Sequence, residues 1–540
     1  MTTQKNHPAA GQPDSFDRYP GYYGSDLELT YTPQRSVFTL WAPTADKVRL
    51  NLYASGEGGE PEERLEMRPS DDGTWRVAAE RDLKGTFYTF QIEKEGKWLD
   101  ETPGIWAKAV GVNGDRAAVI DLRETDPEGW EKDLRPPMSS PTDIVIYEMH
   151  HRDLSIAPDS GVKHKGKYLA LTEEGTRSAE GLATGLDHLK ELGVTHVHLL
   201  PSFDFGSIDE SRLQDGVYDW GYDPKNYFVP EGSYATDPYD PAVRIREFKQ
   251  MVRSLHRNGI RVVMDAVYNH THRTEESNFS LTVPGYYYRH EADGSFPDAT
   301  GCGNETASER AMMRRLIVDA VCYWAEEYHV DGFRFDLMGV HDIGTMNEVR
   351  RALDRIDPSI LLYGEGWTAA RSPLDESLRA VKRAGPRLPR IAVFDDDLRD
   401  ALRGGWGGFD GAGLRVGEIR SGPECPLRSR RSHGPFSGRF RFLGRFARRL
   451  WGAFGGNDQL RFVSRRPLAR RQAPCVGTRR HDRGGARPLR QAGSDRRSDR
   501  TGHPLAFCGR GNVADQGRRV QQPRLSRPGQ PDRLVLQGGP

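Results

Sequence analysis

The sequence predicts an α/β chain: a (β/α)8 barrel preceded by a small β-sandwich. Three observations carry that prediction. Short apolar runs at Ile260–Asp265, Val330–Asp336 and Ile360–Glu365 each end in an acid. Helical-period stretches separate them, the longest from Glu309 to His329 with Met312, Leu316, Ile317, Ala320, Val321 and Trp324 on one face. Before residue 122 the pattern changes to short alternating runs between turns rich in Gly, Pro and Asp. Acids at the carboxyl ends of parallel strands stand where a TIM-type barrel builds its site.

Residues 1–25 are polar with scattered Pro and Gly, and are expected to be a disordered lead. From 26 to 122, the runs Val37–Trp41, Val48–Tyr53, Thr74–Ala78 and Thr86–Ile92 predict a β-sandwich module. Residues 123–142 are a linker. From 143 to 412 the chain alternates strand and helix. Ile144–Glu148, His196–Leu200, Ile260–Asp265, Val330–Asp336, Ile360–Glu365 and Ile391–Phe394 make six strands of the eight that a closed barrel needs. The helix between the first two is placed at about Gly181–Leu192. A long loop after the second strand carries the aromatic-rich stretch Tyr218–Pro224.

The octet Gly332–Gly339 concentrates the chemistry. Phe333 and Phe335 alternate with Arg334 and Asp336, so period two puts cation and carboxylate on one face. Alone, that pair reads equally well as a structural ion pair. Asp265, followed by Asn269 and His270, and Glu365, followed by Trp367, favour a site, because core packing does not explain three strand-end acids.

These segments resemble the conserved regions of the alpha-amylase superfamily, glycoside hydrolase family 13. Gly301–Arg310 leading into the octet, and Tyr218-Asp219-Trp220-Gly221-Tyr222-Asp223-Pro224, resemble the type I pullulanases in particular, which usually have Asn at the second position of the latter stretch. Phe38–Ala45 resembles the starch-binding module of carbohydrate-binding family 48. The resemblance runs from about residue 26 to about 410. It implies Asp336 as nucleophile and Glu365 as acid/base in a retaining mechanism, where the two carboxyls stand about 5 Å apart. Arg334 would keep Asp336 ionised, and apolar neighbours such as Trp367 would help to raise Glu365. The same resemblance assigns Asp265, Asn269, His270, Tyr218, Trp220 and Asp223 to substrate binding, with His270 donating to the bound glucose. Trp41, Trp75 and Trp98 could stack on sugar, but core packing is the better reading for Trp41 and Trp75.

No 18-residue apolar run is present, which excludes an ordinary membrane span. No signal peptide is evident, and the cysteines at 302, 322, 425, 475 and 508 show neither metal spacing nor a disulfide framework. A cytoplasmic location and no cofactor are expected; calcium binding and oligomeric state are not legible in the sequence. The net charge of zero hides a split: from Ser421 onward there are 27 Arg, 7 acids and no Lys, so the tail carries about +20. It lacks the aromatic-interleaved or helical basic pattern of a nucleic-acid binder.

GC-rich DNA translated out of frame yields such a tail. Read from the second base of each codon, Gly509–Arg518 and Leu525–Leu534 become compatible with stretches of the resembled family. In that frame Gln459–Arg465 becomes Asn-Tyr-Val-Ser-Cys-His-Asp, the region of the family's third essential acid, which is otherwise missing. The slip falls at about residues 411–424, and 413–540 is expected to be a disordered, frameshifted tail that scrambles the last barrel strands. The resemblance therefore implies hydrolysis of α-1,6-glucosidic branch linkages in pullulan, starch or glycogen, with the chain as it stands inactive. The alternatives are an isoamylase or glycogen-debranching specificity, and a non-catalytic α-glucan-binding remnant.

Overall fold

The computed structural model describes Phe16, Tyr19, residues 21–138 and 140–397, and Arg399. Most of the lead, and the whole 413–540 tail with its shifted frame, lie outside the described residues.

The N-terminal module is two facing antiparallel sheets. Its strands are β1 (Glu28–Thr32), β2 (Arg35–Trp41), β3 (Lys47–Tyr53), β4 (Glu63–Glu66), β5 (Arg68–Pro69), β6 (Thr74–Ala79), β7 (Phe87–Lys94), β8 (Lys97–Trp98) and β9 (Ala117–Ala118). One sheet runs β1-β2-β6-β5 and the other β4-β3-β7-β8, with β9 on β7. Alternation decides what goes inside: Phe38 and Leu40 of β2 face Val48, Leu50, Phe90 and Ile92 across the core. The other face of β2 meets the barrel, where Trp41 packs edge-on against Tyr286 at 4.9 Å. Trp75 is buried with its Nε1–H donating to the Ala42 carbonyl. Trp98 is half-buried, with the Arg49 guanidinium 4.2 Å over its ring.

Glu28 opens β1 with a left-handed φ of 68°. Its buried carboxylate receives the amides of Ile105 (2.9 Å) and Trp106 (3.0 Å), and Trp106 Nε1 reaches Asp319 of the barrel at 3.2 Å. A side chain on Gly104 would strike that carboxylate, so only glycine fits there.

The second region is a six-stranded, all-parallel sheet among the described residues, in the order β10 (Ile146–Met149), β11 (His196–Leu199), β14 (Arg261–Ala266), β15 (Gly332–Phe335), β16 (Leu361–Gly364) and β17 (Ala392–Val393). These are the six strands read from the sequence. Between β11 and β14 lies an antiparallel hairpin of β12 (Phe203–Phe205) and β13 (Pro224–Pro230). Helices α1 (His151–Ser155), α2 (Gly185–Leu192), α3 (Pro241–Arg257), α4 (Asn278–Thr282), α5 (Ala311–Glu327) and α6 (Ile343–Ile356) fill the crossovers. The expected Glu309–His329 helix is shorter because Arg310 is extended and His329 has a φ of 54°. Its apolar face, from Met312 to Trp324, is fully buried. No described helix is long and apolar enough to cross a membrane.

The 123–142 connection packs against the barrel. Trp130 stacks on His329 at 4.0 Å, and His256 sits between Asp133 (2.7 Å) and Asp331 (2.8 Å). Burial alone would lower His256, but the two carboxylates raise it to about 9. Near the hairpin, Arg244 of α3 is fully buried and meets Asp204 (3.0 Å) and Glu210 (2.6 Å). Glu231 completes that acid cluster.

Candidate active site

The parallel register brings the sequence-predicted acids together. Asp265 pairs with Arg334 across β14 and β15, and β16 delivers Glu365 one residue past its end. Arg334 is 1% exposed and touches all three acids. Nη1 lies 3.0 Å from Asp265 Oδ1 and 2.7 Å from Asp336 Oδ1, and Nη2 lies 2.8 Å from Glu365 Oε1. Asp336 and Glu365 are therefore held by the two ends of one guanidinium. A buried cation of this kind is affordable only because the acids surround it.

Each acid has a second anchor. Asn269 Nδ2 donates to Asp336 Oδ2 at 2.9 Å and to the Asp336 carbonyl at 2.8 Å. The Leu337 amide donates to Glu365 Oε2 at 3.1 Å. That contact depends on strain, since Leu337 adopts a φ of 38° directly after Asp336, where a non-glycine residue is disfavoured. Gly364 lets the strands close: a Cβ there would lie 2.7 Å from the Phe335 carbonyl, which instead receives the Glu365 amide at 3.1 Å. Burial pushes the Glu365 carboxyl up to about 7, against the pull of Arg334. Burial acts the same way on Asp265, but there Arg334 and His198 win and the carboxyl is held low.

The remaining sequence-predicted residues divide. Asp265 is fully buried and its oxygens are taken by Arg334 and by the Tyr222 hydroxyl (2.7 Å). His270 is buried too, with Nδ1 against Asn269 Oδ1 and Nε2 2.7 Å from the Tyr222 carbonyl. Burial lowers its pKa, and a neutral ring has one N–H for these two acceptors. Donation to a sugar would require releasing one of them. Tyr218 and Trp220 are the exposed aromatics of the set, at 42% and 40%. Their polar edges are spent on protein: Trp220 Nε1 donates to the Tyr218 hydroxyl (2.9 Å), which donates to Asp153 (2.8 Å). Asp223 turns towards its own loop, accepting from Gly206 N and pairing with His272 at 3.0 Å. Trp367 is half-buried beside Phe394, 6.3 Å between ring centroids, and its carbonyl sits where any side chain on Gly339 would go.

Three residues of the site were not anticipated. Tyr222 lies inside the quoted aromatic stretch. His198 stands 3.4 Å from Asp265 and 3.5 Å from Glu148, which joins the polar belt from the first strand. The period-two run His196-Val197-His198 and the acid near the end of the first strand were the available signals.

Comparison with known proteins identifies related chains. Residues 26–106 match the family model "Carbohydrate-binding module 48 (Isoamylase N-terminal domain)", and residues 170–285 match "Alpha amylase, catalytic domain". A pullulanase of Bacillus subtilis (strain 168) is 44% identical over 400 residues, covering 74% of this chain and 54% of that protein. The crystal structure of a pullulanase from Paenibacillus barengoltzii, complexed with maltohexaose and alpha-cyclodextrin, is 52% identical with a TM-score of 0.72, covering 74% of this chain and 62% of that one. A pullulanase from Anoxybacillus sp. LM18-11 complexed with maltotriose is 44% identical with a TM-score of 0.71, covering 75% and 57%. The chain thus spans about half the length of the Bacillus subtilis relative. By these matches and by its strand-end acids, the chain belongs to the alpha-amylase superfamily, glycoside hydrolase family 13, and groups there with the pullulanases.

Proposed function

We propose that this chain carries the site of a retaining α-glucan debranching hydrolase, directed at α-1,6-glucosidic linkages in pullulan, starch or glycogen. The observation that carries the reading is the single guanidinium of Arg334 shared by Asp336 and Glu365. It gives two carboxyls in one pocket with different jobs. Asp336, fixed by Arg334 and Asn269, is the nucleophile at the anomeric carbon. Glu365, raised by burial, protonates the leaving oxygen and then deprotonates the water that releases the glycosyl intermediate.

A second reading has its own support. The family's third essential acid is absent from the sequence as translated, where Arg465 occupies its codon position. The chain as it stands then holds α-glucan without turning it over. Reducing-sugar release from pullulan, measured beside pullulan binding, separates the readings. Turnover by a chain whose frame is restored after residue 411 supports the hydrolase site and its absence there overturns it; binding without turnover by the chain as it stands supports the remnant reading, which turnover by that chain would end.

A further inference from the structure

The loop joining β12 to β13 contains a second pair of carboxylates, outside the Arg334 cluster. Asp219 Oδ1 accepts the Gly221 amide at 2.6 Å, and its carbonyl contacts His150 Nε2 at 3.0 Å. Gly221 has a φ of 85° and leaves no room for a side chain against Phe205, so this turn has one backbone course. Asp223 spends Oδ2 on Gly206 N (3.1 Å), Ser207 Oγ (2.5 Å) and His272 Nδ1 (3.0 Å). Its other oxygen, Oδ1, is buried and has no hydrogen-bond donor among the described residues. The neighbouring carboxyl in this turn is that of Asp219, whose ionisation the Asp223 charge opposes. An ionised Asp219 offers only acceptors and repels Asp223, whereas a neutral one offers an O–H. An Asn side chain here would offer an N–H without needing a proton.

We propose that Asp219 is a positioning residue that keeps one proton and donates it to Asp223 Oδ1, closing a catch on the loop that presents Tyr218 and Trp220. Loss of that proton to solvent leaves two facing carboxylates and opens the catch. The loop carries Tyr218 and Trp220 on one side of Asp219, and Tyr222, which touches Asp265, on the other. The catch therefore couples the cleft's exposed aromatic platform to its buried acids. That the platform stacks glucosyl rings rests on the proposed function; the catch itself does not.

Burial and the Asp223 charge push the Asp219 carboxyl up to about 6, so the catch is closed below that pH and open above it. The other titratable groups around the pair are His272, His270, His150, Tyr234 and Cys302. Burial lowers His150 and His270, and raises Tyr234 and Cys302.

The test uses the full chain. The chain has 10 tryptophans, so the Trp220 signal is read as the fluorescence difference between it and its Trp220→Phe variant, titrated from pH 4.5 to 8. The expected result is one transition near pH 6. It should vanish in Asp219→Asn, each variant's fold being checked by near-UV circular dichroism at pH 5. His272→Gln should keep the transition and move it upward, because the His272 charge favours ionised Asp219. A transition that survives Asp219→Asn, or one that His272→Gln abolishes, overturns the catch. In parallel, pullulan affinity is measured by calorimetry at pH 5.0 and 7.5. The parent should weaken severalfold at the higher pH and Asp219→Asn should not; equal pH dependence in both would count against the catch. No pullulan binding at either pH, with the fluorescence transition intact, overturns the α-glucan reading and leaves the catch standing.

Discussion

Arg334 pairs with three acids as one cation, so it organises charge more than it neutralises it. Asp336 is pinned on both oxygens, which fits a group that must attack one atom from one direction. In a chain whose reading frame is restored after residue 411, Asp336→Asn and Glu365→Gln should each lower kcat on pullulan by at least about 100-fold while glucan binding persists. Pre-steady-state and equilibrium binding assays check both halves of that statement. In the proposed acid role Glu365 must be protonated, and burial raises its carboxyl to about 7, so kcat of the frame-restored chain should fall as pH rises past about 7. A pH–rate profile flat from 6 to 9 would remove Glu365 from the acid role. At this scale the sequence was most legible for residues that end strands, because strand ends and period two determine where such side chains point. It was least legible for Tyr222 and His198, whose roles come from meeting Asp265 across the barrel rather than from their own neighbours.

Strand β1 shows how one element can carry a pH dependence. The Glu28 carboxyl is buried, and burial raises it from an ordinary 4.5 to about 8 despite the Ile105 and Trp106 amides. A raised carboxyl keeps its proton in the fold while the unfolded chain releases it. Stability should therefore be highest below pH 4.5, fall as pH climbs towards 8, and level off above. Urea midpoints at pH 5 and pH 8 should differ more for the parent than for Glu28→Gln, in which this component is absent. The element-level reading of the sequence found the six parallel strands because buried runs bounded by helices leave few alternatives. It did not find β1, β4, β5, β8 or β9, which are short or half-exposed. The 123–142 connection was taken for a linker because its Pro and polar content hides the burial of Trp130. Its stacking partner, His329, is nearly 200 residues away in the chain.

For the whole molecule, the sandwich and the six β/α units together match relatives that extend well beyond them. The chain as it stands should release no reducing sugar from pullulan, whereas the frame-restored chain should, and side-by-side assays of the two decide it. Turnover by the former would end the frameshift account of the tail. The order of the parallel sheet adds a consequence of another kind. Its strands stand side by side in the order in which the chain runs, β10-β11-β14-β15-β16-β17. A ribosome therefore delivers each strand next to the one already emerged, and no strand has to wait for a distant partner. Arg334, Asp336 and Glu365 are all synthesised before residue 366. The growing chain can gather Arg334, Asp336 and Glu365 while everything after residue 400 is still untranslated, so an error in the later message spares the geometry made before it.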